Sequence, residues 1–389
     1  MSDTTRNVVV LGSTGSIGRS TLEVIAASGG ELHAVALSAH RSTDRLIEQV
    51  QATKPRWMVI TDRQAAAKVD RSLIPSETKL LLGDEGIAEV VSAEDVDIVV
   101  SAVVGSAGLR GTWAALDAGK PVALANKESL VVGGALVTQL ARERNVPLLP
   151  VDSEHSAVFQ AIQSGRRNEV HRVILTASGG PFRGLSHEQL SKVTIKDALN
   201  HPTWAMGPKI TVDSATLMNK ALEIIEARWL FDLTPEEIGV VIHPQSVVHS
   251  MVEYKDGSVI AQLSPPDMRL PIQYALTWPM RTEGIASRLD WGATHLWEFF
   301  PPDLDRFPAL RLGLETAGRG GSAGAVLNGA NEAAVAAFLD GRLRFDQIVP
   351  TVMRVLEDHE YRPDPKDIHE LLDYDRIARE EVGRCIARL

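Results

Sequence analysis

Along the first 150 residues, short apolar runs alternate with stretches in which apolar positions return every three or four residues. Val8–Leu11, Leu32–Leu37, Trp57–Ile60, Ile98–Val100, Val122–Ala125 and Leu148–Leu149 read as buried strands. Arg19–Ala27 and Asp44–Val50, lying between them, have helical spacing. This alternation predicts an α/β fold whose N-terminal part is a Rossmann-like, doubly wound parallel sheet. From about Val151 the rhythm changes. Valine-rich runs (Val173–Thr176, Val240–His243, Val247–Tyr254, Ser258–Leu263) are interleaved with helices, notably Ser214–Phe231. His243–Tyr254, then Asp256-Gly257, then Ser258–Leu263 has the form of a β-hairpin. A central α+β domain is therefore expected. Ala286–Phe307 reads as an irregular connector, and Ala309–Leu389 as a helical bundle.

Composition narrows the function classes. The chain has 389 residues, 44% hydrophobic and 23% charged, as in an ordinary globular protein. Its 40 basic and 50 acidic residues give a net charge of −10, which disfavours nucleic acid as a partner. No apolar run is long enough for a bilayer span, and no leader is evident, so no membrane partner and a bacterial-type cytoplasmic setting are expected. A single cysteine, Cys385, excludes an internal disulfide.

Gly12-Ser13-Thr14-Gly15-Ser16-Ile17-Gly18 follows an apolar run and precedes a helical pattern. Glycines there let the backbone approach a pyrophosphate seated on a helix N-terminus. The spacing is G-x-x-G-x-x-G rather than the commoner G-x-G-x-x-G, and an ordinary glycine-rich turn is the plain alternative. The second strand ends Leu37-Ser38-Ala39-His40-Arg41-Ser42, with no acid before Asp44. Arg41 and Ser42 can bind a 2′-phosphate, which favours NADPH over NADH. A solvated loop arginine is the bland reading.

Asp152 and Glu154 lie two apart just after a strand; on an extended chain they face the same way and suit a hard cation such as Mg²⁺ or Mn²⁺. Asp213 is expected to cap a helix on which Asn219, Lys220 and Glu223 share a face. Glu223 can complete a three-carboxylate site, while Ser214, Asn219 and Lys220 offer donors to a phosphate. The alternative is a capped amphipathic helix with a surface Lys220–Glu223 pair. Ser178-Gly179-Gly180-Pro181 and Asn200–Pro208 have the Gly/Pro content of closing loops, with Trp204 and Met206 as apolar cover unless both are core. His201 and His249 are candidate imidazoles for phosphate or proton handling; His243 has a weaker claim, because a strand end can simply bury it.

Gly12–Gly18, ANKES at Ala125–Ser129, VDSEHSA at Val151–Ala157, ASGGPF at Ala177–Phe182, His201–Glu223, HPQSVVHSMV at His243–Val252 and NGANEAAVAAFL at Asn328–Leu339 run in one order through nearly the whole chain. Together they resemble the 1-deoxy-D-xylulose 5-phosphate reductoisomerase family. The resemblance implies a homodimer that uses NADPH and Mg²⁺ or Mn²⁺ (Co²⁺ as a further option) on a small phosphorylated sugar. It implies an NADPH domain at 1–150, a catalytic and dimerising domain at 151–280, a linker at 281–306 and a helical domain at 307–389. Asp152, Glu154 and Glu223 would hold the metal. Ser153, Ser178, His201, Ser214, Asn219 and Lys220 would hold substrate, with Lys127 near substrate and nicotinamide, Trp204 and Met206 in the lid, and His249 assisting. Asn126, Glu128 and Gly207 would join Gly12–Gly18, Arg41 and Ser42 at the cofactor. His40 stands where many members have glycine, which weakens the expectation for Arg41. A plain NADP-dependent dehydrogenase and a non-catalytic NADPH sensor are the competing readings.

Overall fold

The computed structural model describes residues 5–204 and 206–388. Its chain divides into two compact units, each discontinuous in sequence: residues up to 126, 137–156 and 267–286 in the first, and 127–136, 157–266 and those from 287 in the second. These units are grouped by packing, whereas the sequence segments above follow chain order.

The first unit is built on seven parallel strands: β1 (Arg6–Leu11), β2 (Leu32–Ala39), β3 (Trp57–Ile60), β4 (Lys79–Leu82), β5 (Ile98–Ser101), β6 (Val122–Leu124) and β7 (Leu148–Pro150). Their order is β4-β3-β2-β1-β5-β6-β7. Strand order reverses beside β1, and the crevice at such a switch point is where doubly wound sheets bind ligands. β1 and β5 are almost wholly buried, as strands covered by helices on both faces must be. β4 is an addition to the six strands expected. Its Lys-Leu-Leu-Leu lacks β-branched residues, and it lies at the sheet edge, so pairing with β3 decides its conformation. Helix Arg269–Thr277 comes from far along the chain to pack on helix Ser16–Ala27. Arg269 reaches Glu23 at 3.5 Å, and Arg6 donates to the carbonyls of Leu276 and Trp278 at 2.8 and 3.0 Å.

The second unit carries a mixed sheet of β8 (Val170–Ala177), β9 (Ile238–Ile242), β10 (Val248–Tyr254) and β11 (Val259–Leu263), ordered β11-β10-β8-β9. β8 and β9 are parallel; β10 pairs antiparallel with both its neighbours. The expected hairpin is present, turning at Gly257 with φ +86°, but its first strand starts at Val248 because Ser246 (φ 51°) breaks the chain after His243. Helices Ala309–Arg319, Ala323–Leu339, Ile348–Asp358 and Ile368–Ile386 form the helical C-terminal region. Helix Ala323–Leu339 is buried around most of its circumference, consistent with its alanine content.

One expected helix is two. Ser214–Phe231 is interrupted at Leu217 (φ 60°), which separates helix Pro208–Ala215 from helix Met218–Phe231. Asp213 therefore lies inside the first helix rather than capping the second, and it is fully buried. No helix among the described residues is long and apolar enough to cross a membrane.

Candidate active site

In the first unit, the glycine-rich segment forms the turn from β1 into helix Ser16–Ala27. Gly12 has φ +80°, and a Cβ there would sit 2.6 Å from the carbonyl oxygen of Ala102 beyond β5. A Cβ on Gly18 would lie 2.4 Å from the Gly12 oxygen, so helix and turn approach only with glycine present. Gly15 is the N-cap and has no side chain to accept the first helical N–H groups, while the first turn holds no acid. Those N–H groups and the helix dipole make an anion seat, lined by Thr14, Ser16 and Ile17. Arg45, which sequence reading missed, donates to the Thr14 carbonyl at 3.3 Å. Its only sequence signal is a position one turn into the helix that follows Ser42. Arg41 and Ser42 stand at the C-terminal end of β2, as expected, with Ser42 the N-cap of helix Thr43–Thr53. Asn126 is 1% exposed and donates to the Val103 and Gly105 carbonyls at 2.7 and 3.0 Å, bracing the ends of β5 and β6.

Asp152 and Glu154 follow β7, but the chain between them is not extended. Helix Ser153–Ala161 begins at once, with Glu154 in its first turn. The strand-alternation argument for this pair therefore fails, and a strand-to-helix turn places them instead. Ser153 Oγ donates to Glu154 Oε2 at 2.6 Å, and buried His155 has Nδ1 3.9 Å from Asp152 Oδ2.

The second unit gathers the other candidates into two clusters. In the first, Glu223 is 1% exposed and pairs with Lys220, its neighbour one turn earlier on the same helix. Asn219 Nδ2 donates to Glu223 Oε1 at 2.5 Å, and Lys127 Nζ lies 3.5 Å from that oxygen and 2.6 Å from Asn219 Oδ1. The pair is thus interior rather than a surface salt bridge, and one carboxylate faces two ammonium groups. The left-handed Leu217 starts the helix that presents Asn219, Lys220 and Glu223 together.

In the second cluster, His201 Nε2 lies 3.2 Å from Ser178 Oγ and 3.1 Å from Ser214 Oγ. His201 Nδ1 accepts from the backbone N–H groups of Thr203 and Trp204 at 3.1 and 2.9 Å. An Nδ1 that accepts leaves the proton on Nε2, so the neutral ring is a donor aimed between two hydroxyls. Burial also pushes the His201 pKa down. Gly180 (φ +65°) brings this loop within 2.7 Å, at Cβ, of the Ser214 carbonyl. Trp204 and Met206 are half-buried in the connecting segment, with the Trp204 ring 6.3 Å from that of His249; Ala205 lies outside the described residues. His249 Nε2 contacts the Ser264 hydroxyl at 3.0 Å. Gly207 is the exposed N-cap of helix Pro208–Ala215. His243 is fully buried, stacked on Phe299 at 4.6 Å, with Nε2 accepting from the Val247 and Val248 N–H groups. It holds a strand end and does not belong to either cluster.

Glu128 lies beside a third polar group. Lys209 Nζ is 2.6 Å from Asp213 Oδ2 and 3.7 Å from Glu128 Oε1, and Asn331 Nδ2 donates to Asp213 Oδ1 at 2.9 Å. Burial, above all, raises the Glu128 pKa, against the pull of Lys209. Asp213, Lys209 and Asn331 were not legible as a group, since the last is 118 residues from the first. Among the candidate ligands Asp152, Glu154 and Glu223, every donor atom is a carboxylate oxygen, a set that fits Mg²⁺ or Mn²⁺ and not a soft metal.

Three family models match in sequence. 1-deoxy-D-xylulose 5-phosphate reductoisomerase covers residues 8–134, its C-terminal domain 148–231, and the DXP reductoisomerase C-terminal domain 263–381. The 1-deoxy-D-xylulose 5-phosphate reductoisomerase of Pelodictyon phaeoclathratiforme is 51% identical over 98% of this chain and all of its own length. That of Geotalea daltonii is 49% identical, over 98% of this chain and 99% of its own. Among solved structures, the Zymomonas mobilis enzyme in complex with NADPH superposes with a TM-score of 0.92 at 42% identity, covering 99% of this chain and 100% of that one. A DOX-P reductoisomerase with NADPH, fosmidomycin and magnesium gives 0.92 at 40% identity, covering 98% of each. The expected architecture of a parallel seven-stranded sheet, a smaller mixed sheet and a helical C-terminal region is the one observed, and on these matches the chain belongs to the 1-deoxy-D-xylulose 5-phosphate reductoisomerase family.

Proposed function

We propose that the protein converts 1-deoxy-D-xylulose 5-phosphate to 2-C-methyl-D-erythritol 4-phosphate in the non-mevalonate isoprenoid pathway, using NADPH and a divalent cation. The observation that carries this reading is the pair of clusters in the second unit: a carboxylate between two lysines, and a neutral histidine between two serines. A redox domain alone needs neither. When bound, the cation supplies Lewis-acid polarisation of neighbouring substrate oxygens and NADPH supplies a hydride.

The chain's own residues divide the remaining work. Ser178, His201 and Ser214 present O–H and N–H donors to phosphate oxygens, with the His201 tautomer fixed by the Thr203 and Trp204 backbone. Asn219 and Lys220 add an amide and an ammonium donor, and Ser153 a hydroxyl. Lys127, poised beside Asn219 and Glu223, supplies positive charge where substrate oxygens become more negative. Asp152, Glu154 and Glu223 would hold the cation. Trp204 and Met206 would cover the reacting carbons and exclude water, with His249 behind Trp204. Thr14, Gly15, Ser16 and Ile17 would seat the pyrophosphate, Arg41 and Ser42 the 2′-phosphate, and Asn126, Glu128 and Gly207 would border the nicotinamide side. On this reading 1–150 binds cofactor, 151–280 performs catalysis, 281–306 links, and 307–389 braces.

The test is loss of NADPH absorbance with 1-deoxy-D-xylulose 5-phosphate. We expect turnover that stops with chelator, returns with Mg²⁺ or Mn²⁺, and is blocked by fosmidomycin. Chelator-insensitive turnover of another carbonyl compound would point to a plain dehydrogenase. Tight NADPH binding with no turnover would point to a sensor.

A homodimer and a cytoplasmic setting belong to the same proposal. Edge strand β11 exposes Val259 and Ile260, and the connector exposes Trp291, Leu296, Phe299 and Phe300, with Leu296 at 76%. Edge strands with apolar side chains invite pairing, and a second copy would cover both features. Light scattering should give about twice the 42.2 kDa of one chain. Trp291→Asp with Leu296→Asp should shift it to monomer; a monomeric wild type sinks the dimer. Cys385, the only cysteine, is buried as a free thiol, which suits a reducing compartment.

A further inference from the structure

The turn after β2 is stitched to the turn after β3. Thr61 N donates to the Ala39 carbonyl at 3.1 Å and Asp62 N to the His40 carbonyl at 3.3 Å. His40 Nδ1 meets Thr61 Oγ1 at 2.9 Å. Asp62 is the N-cap of helix Arg63–Ala66, and its Oδ1 accepts from the N–H groups of Gln64 and Ala65, both at 2.9 Å. Those two bonds fix the carboxylate and direct Oδ2 outward, where Arg41 Nε donates to it at 2.6 Å.

The pair is lopsided. The Asp62 side chain is 13% exposed, whereas that of Arg41 is 75% exposed. The Arg41 hydrogen bond first, and the Ala65 N–H next, hold the Asp62 pKa down at about 2, so the acid stays charged at any working pH. A guanidinium carries five N–H donors in one plane. Asp62 engages Nε–H, and the two terminal nitrogens carry the other four.

We propose that Asp62 is a positioning residue that sets the preference for NADPH over NADH, by holding Arg41 through Nε so that its terminal amino groups are ready to clamp the adenosine 2′-phosphate. This rests on the reading of Arg41 as the 2′-phosphate ligand. Two effects of Asp62 oppose each other. Its negative charge repels a phosphate, but Arg41 stands between them and neutralises it at 2.6 Å. Ordering a free arginine only when ligand binds weakens affinity by roughly 2- to 12-fold, and Asp62 removes that penalty in advance. An exposed ion pair adds little stability, so preorganisation is the larger effect.

The experiment is direct titration of the apo-protein with NADPH and with NADH, in the absence of sugar phosphate, for Arg41→Ala, Asp62→Asn and the double variant. Asparagine is as good an N-cap as aspartate, so Asp62→Asn keeps the Gln64 and Ala65 bonds on Oδ1 and replaces the charged acceptor offered to Arg41 by an amide N–H₂, which cannot accept. Arg41→Ala should lower the NADPH-to-NADH affinity ratio by about 10- to 100-fold. Asp62→Asn should lower it by about 3- to 10-fold with NADH unchanged. In the Arg41→Ala background Asp62→Asn should lower the ratio no further, because it acts through the arginine; with the arginine gone only its repulsion of the phosphate is left to relieve. A ratio that stays level or rises in Asp62→Asn, equal weakening of both nucleotides, or a full effect in the absence of Arg41 would each overturn the proposal. If instead Arg41→Ala leaves the ratio unchanged, the reading of Arg41 itself is wrong, and the assignment of Asp62 goes with it.

Discussion

Glu223→Gln is expected to fold and to turn over at least about a thousandfold more slowly than the wild-type protein, at saturating substrate and cofactor. The substitution keeps shape and volume at a position 1% exposed and removes one unit of charge. Two consequences follow from what surrounds it. A proposed cation ligand is lost, and each 1.4 kcal/mol of lost polarisation slows the reaction about tenfold. Lys127 and Lys220 also lose the anion they share. Their mutual repulsion should lower stability by about 1–3 kcal/mol, noticeable but short of unfolding. The circular dichroism spectrum should therefore match wild type, the melting midpoint should fall by a few degrees, and Mg²⁺ affinity should drop. Turnover near the wild-type rate in a folded Glu223→Gln protein would remove Glu223 from the metal site.

Local chemistry was legible in the sequence, and tertiary chemistry was not. The strand, tight turn and helix around Gly12–Gly18 read correctly because they are contiguous, and the steric need for glycine lies within a few residues. Asn219, Lys220 and Glu223 read correctly because helical spacing alone places them on one face. Asp152 and Glu154 were chosen for a wrong local reason: strand alternation was assumed where a helix had already begun. The break at Leu217 was missed because leucine carries no turn signal; only buried surroundings hold it at a positive φ. The weaker claim given to His243 in the sequence holds, because a strand end does bury it. His243 proved a structural acceptor of backbone N–H groups, while His201 has its tautomer set by two backbone donors and its Nε2 between two hydroxyls. Asp62 and Lys209 gave no signal, and Arg45 only its place one turn into a helix, since each acts through a partner brought close by the fold.

Lys209→Met should have the largest effect on stability, and the effect should depend on pH. Lys209 Nζ is the shared cation for Asp213, fully buried, and Glu128, 4% exposed. Helix Ala323–Leu339 contributes Asn331 to the same group and Glu332 nearby, the latter also raising the Glu128 pKa. This gives the Asn328–Leu339 motif a physical role: it holds helix Pro208–Ala215, and with it Ser214, in place. Methionine preserves the bulk of the lysine stem and removes the charge. Two buried carboxylates then share no ammonium, and breaking a buried ion pair in this way costs about 3–5 kcal/mol. The melting midpoint should fall by roughly 10 °C at about pH 8. Glu128 already has a raised pKa from burial, and without Lys209 it should rise further. An acid whose folded-state pKa exceeds its unfolded value binds a proton more tightly when folded, so the penalty is largest above the folded pKa and shrinks as pH falls through it. The gap between wild type and Lys209→Met should therefore narrow toward about pH 5, the reverse of ordinary acid destabilisation. Denaturant melts at the two pH values decide the matter: a gap that stays constant or widens on acidification would mean that Glu128 does not depend on Lys209 for its charge.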